Sequence, residues 1–177
     1  MIRQKLVCGL LIQLYVATTA GAQLLNGDAS FPILNEIRWE SKMNEVQSLC
    51  ERRHAAQSLT DSTIVLNAPM LGFKARTEMK FDRGLKTLKS VQVKFNESTK
   101  TLVDSLTSHF TLVFGHAPFR TVKEKSVIIM TIRMEMATWK SSTGLVNLVT
   151  AMRGDMLFDA SLVLFPPTTQ QSQSSPK

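Results

Sequence analysis

The chain has 177 residues, of which 44% are hydrophobic, and 21 Lys and Arg against 14 Asp and Glu leave a formal net charge of +7. That length suits one domain or two small fused units, and a positive excess spread along the chain without dense Lys/Arg runs argues against a nucleic-acid-binding arm. There is no metal-ligand spacing, phosphate loop or catalytic signature, so no cofactor, metal ligand or catalytic residue is assigned.

Residues 1–22 have the three-part layout of a cleavable secretory signal peptide: Arg3 and Lys5, an apolar run from Leu6 to Val16, then Ala20-Gly21-Ala22 before Gln23. The run is too short to span a bilayer, and no later stretch approaches the roughly 20 apolar residues that a span requires. The expectation is a periplasmic or secreted protein without a membrane span, 155 residues long (177 less 22) after cleavage. Cys8 departs with the signal, so the remaining Cys50 has no internal disulfide partner and leaves only a covalent dimer open. Stability must then come from a hydrophobic core, which fits the periplasm better than a bridge-stapled extracellular module.

Residues 23–38, with Gly27, Asp28 and Ser30 as loop formers, read as a flexible lead-in. Ser41 is the expected cap of a first helix reaching Arg53, because Trp39, Met43, Val46, Leu49 and Cys50 recur at three- and four-residue steps. A short strand at Ser62 to Asn67 follows, and Pro69 with Gly72 marks a turn. From Phe73 to Phe81 the chain alternates apolar and charged residues, with Lys74, Arg76, Glu78 and Lys80 pointing away from Ala75, Thr77, Met79 and Phe81. After the Asp82-Arg83-Gly84 turn, Lys86 to Phe95 reads as the return strand, with Val91, Val93 and Phe95 inward.

A second helix is predicted from Ser98, striped by Leu102, Val103, Leu106, Phe110 and Val113 and stopped by Gly115. Val127 to Trp139, Leu145 to Met152 and Met156 to Phe165 then form an antiparallel meander, with Gly144 and Arg153-Gly154-Asp155 at the turns. Pro166-Pro167 and the Thr/Gln/Ser residues beyond offer nothing to bury, so 167–177 reads as a disordered tail.

The expected fold class is α+β: two consecutive helix-then-antiparallel-strands units forming one layer of helices on an antiparallel sheet within 39–166. Units 39–96 and 97–166 share residues at an offset of 57: Glu40-Ser41 with Glu97-Ser98, Val46 and Leu49 with Val103 and Leu106, and Arg76, Glu78 and Met79 with Arg133, Glu135 and Met136. Either duplication or two similar answers to one packing problem accounts for these matches. Through the helix starts at Ser41 and Ser98, the Phe110-to-Pro118 helix exit and the repeated hairpins, Trp39 to Phe165 resembles the β-lactamase inhibitory protein family and the small outer-membrane assembly lipoproteins. It lacks the disulfides of the first and the lipid-attachment cysteine of the second. The resemblance implies a non-catalytic role in which the sheet face away from the helices holds another protein.

On that face the expected partner-binding residues are Lys74, Arg76, Lys80, Arg133 and Trp139, beside Glu78, Lys94, Ile129 and Glu135. The competing reading makes the charges solvated cross-strand pairs and Trp139 a core residue. The functional expectation is a secreted or periplasmic binding module that engages a protein of the cell envelope or another acidic surface. The alternative is a small hydrolase or ligand-binding protein with a pocket between the two units, using His54, His109 or His116. Cys50 and His54, four apart, would be neighbours on a continuing helix, although Cys50 shares the apolar stripe. Met130, Met134 and Met136 read as pliable core, and Arg153-Gly154-Asp155 as turn chemistry rather than an adhesion motif.

Overall fold

A computed structural model describes Leu25 and residues 30–55, 57–127 and 130–167. The expected signal peptide, residues 168–177 of the expected tail, and Ile128 and Ile129 lie outside these. In chain order the elements are α1 (Met43–Arg52), β1 (Gln57–Thr60), β2 (Thr63–Met70), β3 (Phe73–Phe81), β4 (Leu88–Phe95), α2 (Lys100–Phe114), β5 (Phe119–Val127), β6 (Met130–Ser141), β7 (Gly144–Arg153) and β8 (Met156–Phe165).

Local chemistry explains both helices. The Glu45 carboxylate accepts the Lys42 N–H at 2.9 Å, filling an orphan donor at the start of α1. Val46, Leu49 and Cys50 form its buried stripe. The Thr99 hydroxyl accepts the Leu102 N–H at the start of α2, one residue beyond the predicted Ser98. Leu102, Leu106 and Phe110 face inward, and Gly115 ends the helix at φ 70, a conformation that favours glycine.

The eight strands make one antiparallel sheet in the order β1-β2-β3-β4-β8-β7-β6-β5. Strand accounts for 53% of the described residues and helix for 21%. The expected fold of two helix-then-strands units is thereby corrected: the described residues form a continuous, β-rich sheet carrying two α-helices and sharing one core. Its centre explains why. Val91 and Val93 on β4 pair with Leu164 and Leu162 on β8, which pair in turn with Val146 and Leu148 on β7. All six are buried. Separate units of about 60 residues would bury a smaller fraction of their surface than one merged domain, and this apolar seam joins them.

Two strands were not expected, and both are edges. The four-residue β1 is too short to show a period, while β5 carries Lys123, Glu124 and Lys125 in succession, with charge on both faces. Such edges discourage further pairing, so they lack the alternation that marks a half-buried strand.

Residues 31–39 are packed into the core and do not form a lead-in. Phe31, Ile33, Leu34, Ile37 and Trp39 are all buried, with a 3₁₀ turn at Leu34–Glu36. Phe31 stacks on Phe110 with ring centroids 5.7 Å apart. The Trp39 indole N–H donates to the Thr143 carbonyl at 2.7 Å, tying this segment to the β6–β7 hairpin.

Candidate functional site

Strand register divides the sheet into a face covered by the helices and one that no described helix covers, called bare below. Residues paired with Thr77 and Met79, or with Val91 and Val93, belong to the covered face, and their neighbours in sequence to the bare one. By this register Lys74, Arg76 and Lys80 stand on the bare face, all exposed, as expected.

Arg133 and Trp139 do not join them. Trp139 pairs with Val146 and is fully buried, its ring 5.5 Å from that of Phe110 on α2. Arg133, six residues earlier on the same strand, points to the helix side as well. The expected five-residue patch is thus split across the sheet. An alternation of two states which residues share a face, not which face becomes covered, and β6 has apolar residues on both. Met134 and Met136, expected in the core, occupy the bare face instead, with Met134 42% exposed.

The bare face is basic. Lys74, Arg76, Lys80 and Lys94 on β3 and β4, with Lys123, Lys125 and Lys140 on β5 and β6, stand against Glu78 and Asp159. Arg76 lies directly opposite Lys94, a like-charge pairing that weakens a sheet. Glu78 meets Arg76 at 3.3 Å, while Lys94 has no carboxylate partner among the described residues. Between the basic groups runs an apolar strip containing Val163, Val149, Met136 and Met134. A hollow of about 140 Å³ there is lined by Thr121, Lys123, Met134, Glu135, Met136 and Val149.

A second feature lies on the covered face, between one flank of α2 and the strands β5–β8. The cleft holds about 240 Å³ and is lined from α2 by Lys100, Val103, Asp104 and Thr107, and from the sheet by Arg120, Glu135, Ala137, Leu148, Thr150, Met152, Asp155 and Leu157. Arg120 is ion-paired with Glu135 across β5 and β6. This cleft lies under a single helix and not between the two expected units.

No family model, curated protein or solved structure matches this chain. Its chemistry has to be read from its own side chains.

None of the three histidines lines the cleft. His54 is exposed just past the end of α1, with φ 50. His109 packs its ring against Phe31 and Phe110 at 5.7 and 5.3 Å. His116 is exposed beyond α2, its Nδ1 at 2.9 Å from the Ala117 carbonyl. Because α1 stops at Arg52, the geometry needed to juxtapose Cys50 and His54 is not continued. Cys50 is fully buried, and burial pushes its thiol up, away from the reactive thiolate. Among the described residues there is no group of three or more His, Cys, Asp or Glu placed to hold a metal ion, and no helix long and apolar enough to cross a membrane.

Proposed function

We propose that this protein is a binding module of the cell envelope or extracellular space, and that its helix-free sheet face holds an acidic surface of a partner protein. The observation that carries this reading is the opposition of Arg76 and Lys94. Two cations face each other on interior strands, where a carboxylate would stabilise the sheet. Retaining a stability cost on a surface is expected where the charge serves recognition. The apolar strip beside it supports the same reading, since interfaces combine a desolvated apolar centre with a polar rim. The signal-like layout of residues 1–22 supports the setting.

A charge reversal tests the proposal, because Lys94→Glu creates an opposite-charge pair with Arg76. It should raise stability by about 0.5–1 kcal/mol, measured by denaturant unfolding, while reducing capture of acidic envelope proteins by the immobilised protein. Capture by the wild type should also weaken as salt rises. Equal capture by both proteins would reject the basic face as the binding surface, leaving its charges as solvated pairs.

A further inference from the structure

The cleft under α2 has a charge balance opposite to that of the protein as a whole. The chain carries 21 basic and 14 acidic residues, yet three carboxylates, Asp104, Glu135 and Asp155, line this opening against two cations, Lys100 and Arg120. Glu135 and Arg120 are committed to each other. That pairing leaves two carboxylates, one from α2 and one from the β7–β8 turn, with a single ammonium. Neither Asp104 nor Asp155 makes an ion pair among the described residues.

Behind these charges the walls are apolar, with Val103 on one side and Ala137, Leu148 and Leu157 on the other. Leu148 and Ala137 are buried, so the floor is fixed by the core and does not need to form on binding. A volume of about 240 Å³ lies just below the ~300–1,000 Å³ of sites for drug-sized ligands. It suits a short chain or a single ring.

We infer that this cleft is a binding site for a small amphiphilic amine, whose apolar body lies against Leu148 and Leu157 and whose ammonium is held between Asp104 and Asp155. An anionic amphiphile would meet two unpaired carboxylates and find one of the two cations, Arg120, already occupied by Glu135, leaving Lys100 alone to receive it. The site is on the opposite side of the sheet from the basic face and does not depend on that face having a partner.

Calorimetric titration of the full chain with hexylammonium, hexanoate and hexanol tests the inference. Hexylammonium should bind about tenfold more tightly than either of the others, the contribution of a charge-assisted hydrogen bond. The double substitution Asp104→Asn and Asp155→Asn should remove that advantage and leave the affinity for hexanol unchanged. Both residues are exposed, so folding should be unaffected, and a melting curve checks this. Lys94→Glu, on the far face, should bind hexylammonium like the wild type. Failure of hexylammonium to bind, equal or tighter binding of hexanoate or hexanol, or an unchanged affinity in the double variant would each overturn the assignment.

Discussion

Trp139 is the residue on which a core reading and an interface reading differ most, and its substitution separates them. The side chain is fully buried against Phe110, with ring centroids 5.5 Å apart. A buried tryptophan removes roughly 150–250 Å² from water, which at about 25 cal/mol per Å² amounts to roughly 4–6 kcal/mol. Truncations of this kind cost about 3–5 kcal/mol, so Trp139→Ala should lose that much. For a chain of this size the melting temperature should fall by about 2–4 °C per kcal/mol. Since domains are stable by only about 5–15 kcal/mol, this variant can fail to fold, and Trp139→Phe provides the second measurement. Its ring keeps most of the contact with Phe110, and it removes an indole N–H that has no acceptor among the described residues. The expected loss for phenylalanine is below about 1.5 kcal/mol. Denaturant midpoints with unchanged slopes are the assay. If Trp139→Ala unfolds within about 0.5 kcal/mol of the wild type and yet loses its partner, the residue is surface and the face assignment of β6 is wrong.

Two further predictions concern turns. At Gly144 the backbone has φ 148, and an added Cβ would sit 2.5 Å from the Phe165 carbonyl oxygen and 3.2 Å from the Trp39 indole nitrogen. Gly144→Ala should therefore cost about 2–4 kcal/mol through backbone strain and overpacking and shift the emission of Trp39; a loss below about 0.5 kcal/mol would refute the close approach. Asp82 accepts the Gly84 and Leu85 N–H groups at 2.8 Å each, and these bonds hold its carboxyl below the ordinary value of 3.8. Since the folded-state value is the lower, its contribution is present above the unfolded value and lost as pH falls through the folded one. The stability advantage of the wild type over Asp82→Asn should thus be constant near neutrality and shrink below about pH 4, and an advantage independent of pH down to 2 would reject the charge as its origin.

Much of the local structure was readable from residue order. The alternation in Phe73–Phe81 named the inward set, Gly115 marked the end of α2, and Gly154 marked a tight turn, where it lies at φ 57. The face of three of the five residues of the expected patch was equally readable, because Lys74, Arg76 and Lys80 alternate with the inward Ala75, Thr77 and Met79. That of the other two, Arg133 and Trp139, was not. On β6, Met134 and Met136 compete with Ala137 and Trp139, and hydrophobicity does not rank the two sides. The cleft had no sequence signal either, since its charged residues come from α2, β5, β6 and the β7–β8 turn.

Residue order by itself determined the strand periods and the turns and placed each helix start within one residue, with Lys42 and Thr99 as the caps in place of Ser41 and Ser98, because each depends on steric and hydrogen-bonding preferences within a few neighbouring residues. Tertiary structure decided that β4 would meet β8, that the charged segment 119–127 would close the sheet as its last strand, and that Phe110 would claim Trp139 for the core. Those outcomes depend on how much apolar surface distant segments can bury together, a property of their assembly and of no single stretch of chain.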